Sequence, residues 1–286
     1  MRMKVKIALF GAVLLSLLWG FQLMLTQHAL WAFSAPEEDL SYGYYVPLFS
    51  LYVVWRERKK ILACASLSAD RNVRFPDWVP ILIIPALLFL GFIGIRGAQL
   101  RFEIVAFAGL IWTISWAFWG WKVAKELIFP CGFLLFCIPL NSFLDVITVH
   151  LRLFATGTAF AILHGLGVNV IRTGTMLSSS TGSFAIDVAA PCSGLRSIFA
   201  LMTLTAAYSY FAQPTWLRRG LLFASSVPLA IFGNICRIFT IVLTASYCDP
   251  DFATGFYHDY SGYVVFLVAV ACMLGVSGGI NKVADK

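Results

Sequence analysis

The segment A-A-P-C-S-G-L-R-S, residues 189–197, sets a cysteine where a Ser-, Thr- and Gly-rich stretch gives way to an apolar run about one helix long. Cys192 follows Pro191 and opens that run, so it is expected at a helix N-terminus. There the macrodipole and the unbonded N–H groups favour a thiolate. That placement suits a nucleophile; the structural alternative is a small apolar residue starting a helix. Arg196, one turn on, shares the helix face of Cys192 and would favour the thiolate further, unless it only snorkels to lipid headgroups.

Arg237, in F-G-N-I-C-R-I-F, is the sharper anomaly, with apolar residues on both sides about two turns from the end of an apolar run. A charge in such a position costs roughly 2.5–3.5 kcal/mol on insertion scales, and an intramembrane ionisable residue is by default a functional one. Gly233 and Asn234 share its face and offer room and a hydrogen-bonding partner. The competing role is a structural ion pair with Asp145 or Asp187. His258, in Y-H-D-Y-S-G, stands just before the next apolar run. A thiol, a guanidinium and an imidazole at one depth suit covalent acyl transfer: the imidazole activates the thiol or protonates the leaving amine, and the guanidinium steadies the thiolate or the oxyanion. His150 and His164 remain alternative bases.

The elements that must position these groups are membrane helices. The 286 residues are 60% hydrophobic, 15% aromatic and only 12% charged, with a mean hydropathy of +0.83. This excludes an ordinary water-soluble domain. Apolar runs at about 5–27, 40–55, 78–95, 104–121, 127–143, 192–212, 220–244 and 260–280 predict an all-α polytopic membrane protein with about eight transmembrane helices, forming a single domain over 1–286. The second and fifth runs are short, and Pro130 and Pro139 interrupt the fifth, so either can be tilted, kinked or partly re-entrant. The first run is too long for a cleaved signal peptide and is expected to stay as an anchor.

With the N-terminus inside, 15 of the 21 Lys and Arg residues fall on the cytoplasmic side, in clusters at 2–6, 56–60, 71–74, 122–125, 218–219 and 282–286. The positive-inside rule therefore places both termini in the cytoplasm. It sets Cys192, Arg237 and His258, from three different runs, at the same outer face. The net charge of +7 is thus topological and predicts no nucleic-acid partner.

Residues 144–191 form the one long extracytoplasmic segment in this reading. Asp145, Thr148, Arg152 and Thr156 recur at three- and four-residue steps, a polar stripe on an apolar helix that either lies in the membrane interface or lines a polar cavity. Beyond it, Phe184, Ile186 and Val188 alternate with Ala185 and Asp187 after S-S-S-T-G-S, which predicts a small β-hairpin handing the chain to Cys192. The seven cysteines include no C-x-x-C and no zinc-type spacing, so neither metal nor cofactor is expected. Two rival functions remain: a transporter or carrier using Arg237 for an anionic substrate, which usually shows an internal repeat not found here, and a thiol-redox enzyme pairing Cys192 with Cys248.

In order, P-C-S-G-L-R-S, G-N-I-C-R-I and H-D-Y-S-G resemble the motifs of the exosortase/archaeosortase family, and Y-G-Y-Y-V-P-L-F-S-L-Y-V-V-W-R-E-R-K-K, residues 42–60, looks like a further signature of it. The likeness runs from about residue 40 to 270. It implies an inner-membrane cysteine protease or transpeptidase acting on membrane-anchored exported proteins whose C-terminal sorting signal is a short motif, a transmembrane helix and a basic cluster. By the resemblance, Cys192 is the nucleophile, Arg237 the catalytic arginine and His258 the third catalytic position. Ser193, Gly194, Arg196 and Asn234 would hold or orient substrate. A histidine at that third position resembles the bacterial, exosortase-type branch, whose substrates are typically PEP-CTERM-like. Two departures bear on the subfamily: Ala189-Ala190-Pro191 replaces an acidic residue common before the cysteine, and Ser41-Tyr42-Gly43 replaces an S-H-G.

Overall fold

Backbone polar groups cannot be left to lipid, so apolar runs of this length fold as helices. Helices account for nearly all of the computed structural model. It describes residues 3–35, 40–67, 78–139, 141–187 and 195–284, which fall into two compact units, Met1–Leu140 and Asn141–Lys286.

In the first unit α1 (Met3–Gly20) bends by 58° into a π-helical turn (Met24–His28) that continues as α2 (Ala29–Ser34). A 3-10 turn (Ser41–Tyr44) leads to α3 (Tyr45–Arg56) and α4 (Arg58–Leu67), then α5 (Val79–Arg96), α6 (Leu100–Trp119) and α7 (Trp121–Phe133), with a closing 3-10 turn at Leu134–Cys137. The α5–α6 pair is drawn together by small residues, as lipid-embedded helices require. A Cβ on Gly94 would lie 2.8 Å from Glu103 Cγ and 2.9 Å from Glu103 N, and one on Gly109 would meet Leu87 at 2.9 Å. Glu103, fully buried in the first turn of α6, takes His28 Nδ1 at 2.7 and 3.0 Å from its two oxygens.

The second unit holds α8 (Asn141–Gly165), β1 (Val170–Thr173), β2 (Met176–Ser179), β3 (Ala185–Asp187), α9 (Leu195–Ala212), α10 (Trp216–Tyr247), the single turn α11 (Pro250–Phe252) and α12 (His258–Ala284). Leu151 packs with Ala230, Ile198 and Leu201, whereas Ala155, Ala159 and Leu163 pack with Ile235, Ile238, Ile241 and Ala245. Hence α8 and α10 run in the same direction, and α9 and α12 run opposite to them. The strands form an antiparallel sheet in the order β1-β2-β3. Its apolar residues Val170, Leu177 and Ile186, with Phe184, join the core between α8 and the last turns of α10.

Two expectations change. The hairpin is a three-stranded sheet, because Thr173 and Met176 pair across a two-residue turn whose first position, Gly174, has φ +65°, as the primed hairpin turns require. The run 127–143 is not one helix: α7 stops at Phe133 and α8 starts at Asn141. Of the polar stripe on α8, Thr148 and Thr156 are buried and Arg152 is half-buried.

Among the described residues five helices are long and apolar enough to cross a membrane (α5, α6, α8 from Ile147, α10 and α12), or six if the bent α1–α2 pair is one span. The expected eight therefore are not reached by length and composition. The helices α3 and α7 have 12 and 13 residues, short of the roughly 17 that a crossing needs. In α9 the interior carries hydroxyls that turn inward, Thr205 to Met273 Sδ at 3.0 Å and Ser209 to the carbonyl of Ala206.

Gly94→Ala is expected to destabilise the protein by about 1–3 kcal/mol, because the Glu103 backbone must shift. Gly11→Ala, with nothing within 4 Å of the added carbon, should be neutral or gain up to about 1 kcal/mol of helix propensity. Thermal unfolding in detergent compares the two.

Candidate active site

The second unit brings Arg237 and the start of α12 together. Thr215 caps α10 by accepting from Arg218 N at 3.3 Å, and Arg237 lies ten residues before the helix ends at Tyr247. After α11 a π-helical turn (Ala253–Tyr257), with Gly255 at φ −94° and ψ −105°, breaks the helical path. The chain then re-enters as α12 and packs back along α10. His258, Ser261, Gly262 and Val265 fall at steps of three and four on one face of α12, and that face meets Arg237.

The half-buried Arg237 is held along one edge of its guanidinium. Nε donates to Ser261 Oγ at 3.2 Å and Nη2 donates to the His258 backbone carbonyl at 2.9 Å, while Ser261 Oγ donates to the same carbonyl at 3.1 Å. A guanidinium only donates, so the direction of each bond is settled: the hydroxyl accepts from Nε and must spend its own proton on the carbonyl. The result is a closed ring from α10 to two groups on α12. Ser261 is buried, and Gly262 lies flat against the cation, since a Cβ there would sit 3.4 Å from Arg237 Cζ. No described residue accepts from Nη1.

Both partners of Arg237 are neutral. The ion pair with Asp187 does not form, for Asp187 instead accepts from Thr175 Oγ1 at 3.0 Å; the side chain of Asp145 lies outside the described residues. Among the described residues the positive charge is thus met by dipoles and by no carboxylate, an arrangement that leaves its field open to an anion. Beside it is a cavity of about 10 Å³, on the scale of one water, lined by Ser197 and Leu201 of α9, Gly233, Asn234 and Arg237 of α10, and Gly262 of α12. Gly233 is there to admit α12: a Cβ on it would be 2.9 Å from Val265 Cγ1. A larger cavity of about 480 Å³ in the first unit, lined by Leu17, Phe21, Leu88 and Leu110 among others, contains no titratable side chain.

Of the residues singled out in the sequence, Arg237, Asn234 and the main chain of His258 converge here. His258 is half-buried and Asn234 buried. Arg196 is exposed on the first turn of α9. Cys192, Ser193 and Gly194 lie outside the described residues, as do Val188 and Ala189–Pro191. Of the alternative bases, His150 is exposed on α8, and His164, exposed at the end of α8, stacks on Phe160 with centroids 5.7 Å apart. Cys248 is exposed at the C-cap of α10.

Two features escaped the sequence reading. Ser261 and Gly262 were inside the H-D-Y-S-G motif, and the H-x-x-S-G spacing, one helical turn, was the available signal. The His28–Glu103 pair had no signal, because 75 residues separate its members.

Residues 30–275 match the family model described as transmembrane exosortase. No curated protein and no solved structure matches the chain.

Proposed function

Because the chain belongs to the transmembrane exosortase family, we propose that it is a membrane-embedded cysteine transpeptidase that cleaves the C-terminal sorting signals, PEP-CTERM-like, of exported proteins and transfers them to an acceptor in the cell envelope. The observation that supports this most directly is that Ser197, in the first turns of α9, lines the same cavity as Arg237 and Gly262. Cys192 is three residues before Leu195, where α9 begins, and three residues reach at most about 10–11 Å. The chain thus tethers the thiol to the element that borders the guanidinium.

In the reaction the substrate arrives anchored by its own C-terminal helix. The Cys192 thiolate attacks the scissile carbonyl carbon, and Arg237 stabilises the oxyanion of the tetrahedral intermediate. The C–N bond then breaks, His258 gives its proton to the departing amine, and a thioester joins Cys192 to the substrate's N-terminal part. An amine on the acceptor attacks that thioester and releases the thiol. Ser193, Gly194, Arg196 and Asn234 hold the substrate segment beside these groups.

The proposed topology is in the inner membrane, with both termini cytoplasmic and the site near the outer face. It keeps eight crossings, with α8 in place of the 127–143 run and α3 and α9 crossing despite their length or polarity. The support is direction: α8 runs with α10, whose first turn carries Arg218 and Arg219, so both run outward.

Two experiments test this reading. A tagged protein ending in a short motif, an apolar helix and a basic cluster is co-expressed and its size followed. Cys192→Ala should abolish cleavage while inserting normally, and continued cleavage would remove the nucleophile assignment. Arg237→Lys keeps the charge but not the planar fork and should lower kcat by about 10²–10³. For topology, a reporter fused at Asn141 is expected in the cytoplasm and one at Gly167 outside; a crossing at 127–143 would put both outside.

A further inference from the structure

A guanidinium has five N–H donors in a rigid plane, and how that plane is held decides which of them can meet a substrate. In Arg237 the edge formed by Nε and Nη2 is taken up by Ser261 Oγ and the His258 carbonyl at 3.2 and 2.9 Å. One face is closed by Gly262. The two N–H groups of Nη1 are left on the side away from that edge.

We propose that Ser261 and Gly262 are positioning residues for Arg237: the hydroxyl fixes the rotation of the guanidinium, and the missing side chain gives its plane room to lie against α12, so that Nη1 is the end presented to the reacting carbonyl. This rests on the transpeptidase reading for its catalytic consequence, though not for its geometry. The serine does a task that neither partner can do without it. It accepts from Nε and passes its proton to a carbonyl that also takes Nη2, closing a ring that a single bond to the carbonyl would leave free to swing. The glycine sets a size limit, since a methyl group at 3.4 Å makes ordinary contact and anything longer must displace the cation.

The substitutions separate these roles. Ser261→Ala opens the ring and should lower kcat by about 10² with KM unchanged, the scale of loss for a reacting group misplaced by about 1 Å. Ser261→Thr restores the hydroxyl and should restore kcat. Gly262→Leu, whose side chain must displace the cation, should fall as far as Ser261→Ala. A merely structural serine would not give a kcat loss confined to the hydroxyl and rescued by threonine, so unchanged kcat in Ser261→Ala overturns the proposal.

A second readout does not depend on activity. In the full-length protein labelled with ¹⁵N-arginine in micelles, the Arg237 Nε–H signal, identified by its loss in Arg237→Lys, should exchange slowly with water. Ser261→Ala should speed that exchange and Ser261→Thr should slow it again. Equal exchange in wild type and Ser261→Ala overturns the clamp. If the clamp is seen but wild type cleaves no sorting-signal reporter, the functional reading fails and the positioning stands.

Discussion

A guanidinium cannot shed its proton at any accessible pH, and Arg237 carries one into a bundle where water is scarce. Everything around it follows from having to solvate that charge without cancelling it. A carboxylate partner would lower the cost of burial but would also neutralise the field at the site. The protein instead supplies one hydroxyl and one backbone carbonyl from α12. Two dipoles hold the cation in place and leave its field directed at the cavity shared with α9.

This solution demands close packing of three helices, and the sequence around the site is shaped by it. Gly233 lets Val265 approach, and Gly262 lets the guanidinium lie flat. The break at Gly255 precedes α12, which starts anew at His258, whose carbonyl meets Arg237 of α10. The sheet has a related task. It joins the core between α8 and α10, and Arg172 of β1 pins it to α8, donating through Nη2 to the Leu153 carbonyl at 3.0 Å. Gly157 is the bare spot over which that arginine lies, since a Cβ there would be 2.8 Å from Nη1. The strand that ends at Asp187 is thereby anchored to α8.

How much of this was readable beforehand depends on the range of the interaction concerned. Long helices are written in local composition, and α5, α6, α10 and α12 lie close to the expected apolar runs. The run 127–143 misled because hydropathy continues across the break after Phe133. Strand β1 was missed because V-I-R-T, residues 170–173, is too short to show an alternation of its own; it exists through its pairing with β2. The stripe on α8 was visible, but which surroundings it faces is a property of packing, and Thr148 and Thr156 prove to be buried. At the site, Arg237 stood out because a charge in an apolar run is a local anomaly, and His258 followed from topology. Ser261 did not stand out, because a serine in a membrane helix is unremarked until another helix sets a guanidinium 3.2 Å from its oxygen.

The first unit handles buried charge in the opposite way. Glu103, with no exposed surface, is met by His28 through both carboxylate oxygens. The two side chains meet directly, so the polarity of each is answered by the other. Among the described residues Arg237 meets no carboxylate, only a hydroxyl and a carbonyl, and these leave its unit charge uncancelled. In a low-dielectric surrounding such a charge is strongly felt by any group that develops negative charge nearby. The contrast is between a cluster whose two side chains meet each other and one whose cation is held, among the described residues, by neutral groups.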